Sequence, residues 1–258
     1  MFTTITFEKR DRKAYISLNR PETHNALSKV VLAELTQAIR LCGEDDEIRV
    51  VVLSGGEHKA FSSGADLKEG VSSPRLGDVL KTSYNPLILG IRSLMKPVIC
   101  KMNGLAAGAG MSLVLACDVV IAADDAYFTE LFVGIGLIPD AGSMFFLPRL
   151  VGPLKAFELC STGRKVYMEE AVQLGLANKA VPKELLDAEV EVLADQYAAA
   201  ATQSIGRMKQ VLNRSFQGSL EEVLDLEAEA QTFCGGTADF AEGVMAFLGK
   251  RPPVFTGK

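Results

Sequence analysis

The chain has no tryptophan and only two histidines, His24 and His58, in 258 residues. Both lie in polar bends and read as surface loop residues, so a Ser-His-Asp machine is not expected. The five cysteines (Cys42, Cys100, Cys117, Cys160 and Cys234) are widely spaced and include no C-x-x-C pair. That argues against a metal site and leaves reduced thiols, most of them among apolar neighbours. No lysine/arginine run stands out and the formal net charge is −5. A nucleic-acid partner is therefore not expected, while a local basic patch for a small anion stays open. No apolar run reaches the ~18 residues of a membrane span, and Met1 to Ile5 lacks the charged-then-apolar pattern of a signal peptide. The ending Thr256-Gly257-Lys258 is not a peroxisomal address. These absences lead us to expect a soluble, cytoplasmic protein without a membrane partner.

What is present is ordinary globular material, 48% hydrophobic and 23% charged, and long enough to bury a substantial core. Ala14 to Leu18 alternates and predicts a strand. Leu32, Leu35, Ile39 and Cys42 recur at helical spacing, with Ser28 as N-cap and Gly43 as stop. Ile48 to Leu53, Pro97 to Lys101 and Val119 to Ala123 are β-branched or apolar runs suited to strands covered on both faces. Alternation of such runs with helical patterns predicts an α/β fold with parallel strands. From Pro182 onward the pattern turns helical, over 183–200, 202–216, 219–233 and 237–249. Such a tail has no strand layer of its own and must pack on the core or on another subunit, which predicts an oligomer.

Three bends carry the candidate chemistry. Phe61-Ser62-Ser63-Gly64-Ala65-Asp66-Leu67-Lys68 presents bare backbone after a strand; it reads either as a pocket-facing N–H or as a plain loop with Asp66 capping the next helix. Asn103-Gly104-Leu105-Ala106-Ala107-Gly108-Ala109-Gly110 reads either as an open helix start that favours negative charge or as a close helix crossing that needs small residues. It lacks the spacing of a dinucleotide fingerprint and the Gly-Lys-Ser/Thr of a Walker loop. Asp140, in Gly136-Leu137-Ile138-Pro139-Asp140-Ala141-Gly142, is a lone acid flanked by apolar residues, either a helix cap or a proton carrier. Asp118 and Arg149 read as structural ion-pairing or hydrogen-bonding residues.

The order of these motifs resembles the enoyl-CoA hydratase/isomerase (crotonase) superfamily. The residues that carry the likeness are Arg20-Pro21, Asn25-Ala26-Leu27, the two Gly/Ala bends, Gly136 to Asp140, Ala171-Val172-Gln173-Leu174-Gly175-Leu176-Ala177 and the ending Phe255 to Lys258. The likeness covers essentially the whole chain. It implies a ββα spiral core over residues 1–200 with the CoA site and oxyanion hole, and a C-terminal helical trimerisation region over 201–258. It also implies a homotrimer or dimer of trimers and an acyl-CoA thioester as substrate, with no other cofactor. By the same resemblance, the backbone N–H groups of Ala65 and Ala109 form the oxyanion hole. Asn25, Ala26, Asp66, Leu67 and Lys68 line the CoA groove, and Phe255 and Lys258 reach a CoA phosphate across a subunit boundary.

Departures from the family pattern point to the reaction. The two positions that carry glutamates in the family's hydratases fall on Ser112 and Phe132, neither of which is a base near neutral pH. Asp140 stands where isomerases of the family place an acid, and the phenylacetate-pathway and Δ3,Δ2-enoyl-CoA isomerase branch looks most similar. The resemblance thus implies a double-bond isomerase, or a ring isomerase of an aromatic-derived acyl-CoA, with Asp140 as proton shuttle. Phe132, Ile138, Met144 and Phe145 are candidates for an apolar surround that raises its pKa. Two other readings stay open: hydration through a non-standard base such as Glu130, and acyl-CoA binding without chemistry.

Overall fold

The structure, a computed structural model, describes residues 2–70 and 75–258. A hairpin opens the chain. β1 (Ile5–Arg10) and β2 (Lys13–Leu18) pair antiparallel. Asp11 and Arg12, at φ +47° and +64°, make the left-handed turn that suits the strand twist. Ser28 then caps α1 (Lys29–Glu44), its hydroxyl accepting from the Val31 N–H. The helix runs through Gly43 and ends one residue beyond it.

Three times the chain then lays a strand in a larger sheet, the next strand in a smaller one, and returns through helix. The first unit is β3 (Val50–Ser54), β4 (Ala60–Ser62), α2 (Leu67–Gly70), α3 (Leu76–Val79) and α4 (Asn85–Ser93). The second is β5 (Val98–Met102), β6 (Leu105–Ala107) and α5 (Ala109–Leu115). The third is β7 (Val119–Ala123), β8 (Tyr127–Thr129) and α6 (Ser143–Thr162). β9 (Lys165–Tyr167), α7 (Met168–Gln173) and β10 (Lys179–Val181) follow, then α8 (Leu186–Ala199), α9 (Thr202–Ser215), α10 (Leu220–Gly235) and α11 (Ala238–Leu248). The larger sheet has the order β1-β2-β3-β5-β7-β10 and the smaller β4-β6-β8-β9.

The register explains why the long apolar runs were readable as doubly covered strands. Ile16, Leu53, Cys100 and Val120 pair in one row across the larger sheet, and all four are buried. α8 packs over β3, β5 and β7 and α1 over β1 and β2, and with every residue of β3 buried such strands keep no wet face. The strands of the smaller sheet have three residues each, too few to show a period, and none of them was anticipated.

Asp118 ties the helices to the larger sheet. Its carboxylate accepts from the Val98 N–H at 2.8 Å, Arg92 Nη1 at 3.0 Å and Lys209 Nζ at 2.7 Å. Burial holds the Lys209 ammonium below the usual lysine range while Asp118 opposes the shift. The ammonium also donates to the Ile91 and Lys96 carbonyls. The structural reading of Asp118 is therefore correct. Arg149 instead braces its own helix, donating to the Phe145 carbonyl at 2.7 Å and lying 3.6 Å over the Phe145 ring.

The four C-terminal helices are where the sequence pattern puts them, but they differ in attachment. α9 packs on the core: Gly206 lies so close to Met95 that a Cβ would meet its carbonyl oxygen at 2.4 Å. α10 buries no side chain and α11 buries only Asp239 and Ala246. Leu220, Leu224, Phe240, Met245, Phe247 and Leu248 are exposed on these two helices. The last residues fold back beneath the sheet. Arg49 donates to the Phe255 carbonyl, and the Asp239 carboxylate accepts from the Thr256 and Gly257 N–H groups.

Removing Asp118 leaves a buried lysine without its counter-charge. Asp118→Ala is expected to lower unfolding stability by about 3–5 kcal/mol, with partial recovery in Asp118→Ala/Lys209→Met. Urea unfolding measures this, and a loss under about 1 kcal/mol contradicts the assignment.

Candidate active site

Two bends meet through their backbones. Gly64, at φ +92°, lies against β6, and a Cβ on it would come within 2.7 Å of the Ala107 carbonyl oxygen. Gly110 lies against β4, where a Cβ would meet the Ser62 carbonyl oxygen at 2.7 Å. No other residue fits either position without moving backbone. These contacts set Ala65 and Ala109 side by side across the junction. Ala65 N–H and Ala109 N–H have no hydrogen-bond acceptor among the described residues, so two bare donors remain. The small residues of the Gly/Ala stretch do serve close packing, but against strand β4 rather than a crossing helix.

Polar side chains fix the first bend from behind. Asn25 is buried, and its Nδ2 donates to the carbonyls of Gly55, Ala60 and Phe61 while Oδ1 accepts from the Arg20 N–H. Ser62 Oγ donates to the Asn25 carbonyl and accepts from the Gly64 N–H. Asn103 joins the same loop, its Oδ1 accepting from the Gly55 N–H at 3.1 Å. His24 and Asn25 hold left-handed backbone at φ +52° and +57°, a strain of order 1–3 kcal/mol per residue that this network holds in place. Leu27 then bridges to the bend, its N–H donating to the Gly64 carbonyl and its own carbonyl accepting from Asp66 N–H and Tyr84 Oη.

Asn25, Ala26, Asp66, Leu67 and Lys68 are thus gathered around Ala65. The side chains of two of them are already committed: Asn25 as described, and Asp66 to Arg20 Nη1 at 2.9 Å and to the Lys68 N–H. Leu67 and Lys68 are exposed. Phe255 and Lys258 are not in this group. Arg49, which holds Phe255, precedes β3, whereas Gly55 and the bend follow it, so the tail lies at the opposite end of that strand.

Asp140 is tied to α5, the helix that begins at Ala109. Ser112 Oγ, on the first turn of α5, donates to the Asp140 carbonyl at 2.9 Å, and the Ser143 N–H donates to the same oxygen at 3.0 Å. The helix-cap reading fails here: the N-cap of α6 is Gly142, with no side-chain cap. The Asp140 carboxylate instead has its Oδ1 buried without a partner among the described residues, and desolvation pushes the group up to about 6. Ala141, next to it, is a left-handed non-glycine at φ +48°. The expected apolar surround is largely wrong. Only Phe132 is buried, its ring 3.7 Å from where a Gly108 Cβ would sit; Ile138, Met144 and Phe145 are exposed.

Sequence reasoning missed Tyr84 and Ser143, which stand in no recognisable motif, and did not assign Ser112 a role. Burial and the neighbouring Asp140, Asp66 and Glu69 carboxylates push the Tyr84 phenol up. No group of three or more His, Cys, Asp or Glu side chains among the described residues is placed to hold a metal ion. No described helix is long and apolar enough to cross a membrane.

Comparison with known proteins defines the class. Residues 8–258 match the family model described as enoyl-CoA hydratase/isomerase, and the chain belongs to that family. It is 39% identical over 248 residues to a 1,2-epoxyphenylacetyl-CoA isomerase of Escherichia coli, covering 94% of each chain. It is 41% identical over 258 residues to a probable enoyl-CoA hydratase of Rhodobacter capsulatus, covering 100% of this chain and 99% of the other. The crystal structure of an enoyl-CoA hydratase from Bacillus anthracis superposes with a TM-score of 0.93 at 33% identity, covering 99% and 100%. The fold is the family's α/β fold with its C-terminal helical region.

A raised carboxyl pKa means that the native state keeps its proton longer than the unfolded chain. Asp140 therefore contributes stability that is full below about pH 4 and is lost as pH rises through about 6. Asp140→Asn is expected to have a higher melting temperature than the parent at pH 8 and no advantage at pH 4. Thermal unfolding at the two pH values checks this, and equal differences at both contradict it.

Proposed function

We propose that this chain is an acyl-CoA isomerase that shifts a double bond from the 3-enoyl to the 2-enoyl position through an enolate. The observation that carries the reading is the half-buried Asp140 carboxylate, whose Oδ1 is buried without a partner among the described residues and whose backbone is tied through Ser112 to the helix that begins at the bare Ala109 N–H. The thioester oxygen accepts from the N–H groups of Ala65 and Ala109. As Asp140 takes a proton from C2, the C–H electrons move into the enolate and the negative charge settles on that oxygen. Fixed donors aimed at it in a dry site need no reorganisation, and each is worth about 100- to 1,000-fold in rate. The enolate then collapses, the double bond moves between C2 and C3, and Asp140 returns the proton to C4. One carboxylate serves both halves, and a pKa near 6 suits both directions.

Coenzyme A enters as part of the substrate, and no other cofactor is called for. Asn25 and Ala26 shape the groove and Ala65 to Lys68 line it; Phe255 and Lys258 serve only a neighbouring subunit's ligand. The exposed apolar faces of α10 and α11 fit assembly into a trimer or a dimer of trimers. The same enolate serves ring isomerisation of an aromatic-derived acyl-CoA, a second reading favoured by the likeness to the Escherichia coli isomerase.

Hydration through Glu130 is disfavoured by its burial at 1% exposure and its bond from Ser143 Oγ. Asp140→Asn is expected to bind CoA esters as the parent does and to lose isomerisation of 3-enoyl-CoA by about 100- to 10,000-fold. The parent should hydrate crotonyl-CoA negligibly. Near-parental turnover in the variant, or fast water addition by the parent, overturns the scheme.

A further inference from the structure

Glu130 is a buried acid that the shuttle does not use. It lies between β8 and the short helical turn at Leu131–Ile135 and is 1% exposed. Ser143 Oγ, from the first turn of α6, donates to its Oε1. Its Oε2 is buried and has no partner among the described residues. No described basic side chain pairs with it. Arg164 is held by Glu158 and Glu170, and Lys165 lies over the Tyr127 ring. The titratable groups that face it are Asp140, from the bend before α6, and Cys160, on α6 itself. Ser143 joins the two acids, since its hydroxyl holds Glu130 while its N–H holds the Asp140 carbonyl.

We propose that Glu130 is a positioning residue acting through Asp140 as a charge gate: with its proton on, the site carries one negative charge and the shuttle runs; with its proton off, it carries two and the shuttle slows. The inference rests on Asp140 being the base. During the reaction a single negative charge alternates between Asp140 and the enolate oxygen. A neutral Glu130 leaves that count at one throughout. An ionised Glu130 adds a second anion where little water screens it, and this raises the enolate more than the bound ester. Burial and the Asp140 charge push Glu130 up to about 7, against the opposing bond from Ser143. The Cys160 thiol, pushed up to about 11, stays neutral across this range. The two acids therefore titrate as a pair.

The test is the pH dependence of kcat/KM for a 3-enoyl-CoA in the parent, Glu130→Gln and Ser143→Ala. The parent should rise through about 6 and fall through about 7. Glu130→Gln should keep the rise and lose the fall, exceeding the parent by about tenfold well above neutrality. Ser143→Ala, which removes the donor favouring the ionised form, should move the fall to higher pH. A parent with no falling limb, or a falling limb unchanged in Glu130→Gln, overturns the gate. Should Glu130→Gln not fold, an unmoved limb in Ser143→Ala does the same. A readout independent of turnover accompanies these: a raised pKa makes parental stability fall as pH rises through about 7, and Glu130→Gln should lack that decline. Full activity in Asp140→Asn would sink the shuttle itself, whereas a persistent falling limb beside an intact rising limb sinks only the gate.

Discussion

The contact of two backbone bends, Gly64 on Ala107 and Gly110 on Ser62, sets the geometry on which the site depends. Each replaces a side chain by main chain at a distance no Cβ tolerates. That closeness brings the two bends together, a Cβ on Gly64 lying 3.5 Å from the Ala109 nitrogen, and it is possible only because β4 and β6 are neighbours in the smaller sheet. The ββα repeat delivers those two strands side by side. The buried amides of Asn25 and Asn103 then keep the loop after β3 from relaxing. The placement of the Ala65 and Ala109 backbone N–H groups is thus a consequence of sheet topology and glycine.

The acid is placed by a different device. The Ser112 hydroxyl, on the first turn of α5, fastens the Asp140 backbone. Among the described residues Asp140 makes no helix cap and pairs with no cation, and an oxygen left without a partner in a buried place keeps its proton affinity high. A group in that condition is poor for stability and suited to moving protons. The left-handed Ala141 beside it adds strain at the same place.

Much of this was legible in the residues. Ser28 as a cap, the runs that became β3, β5 and β7, and the four C-terminal helices follow from periodicity and local chemistry, because burial on both faces or on one stripe leaves a long repeating trace. The smaller sheet left none, since its strands are too short for a period. The same limit applies to the site. Asp140 and the two bends stand in contiguous motifs and were found. Tyr84 and Ser143 act through side-chain hydrogen bonds to Leu27 and Glu130, which no spacing encodes. The predicted apolar surround erred for a related reason: Ile138, Met144 and Phe145 are neighbours of Asp140 along the chain, but adjacency in sequence does not bury a side chain, and all three are exposed. Phe255 and Lys258 belong to a recognisable ending, yet β3 separates them from the bend within one subunit.

The central claim is that the site makes an enolate and that Asp140 carries the proton. Exchange of the C2 hydrogens of bound CoA esters with deuterium oxide tests it most directly, because it reports the enolate step whatever product forms. Across a panel of esters the parent should exchange at C2, and Asp140→Asn should bind the same esters without exchange. Exchange at the parental rate in Asp140→Asn, or tight binding with no exchange by the parent, would contradict the account.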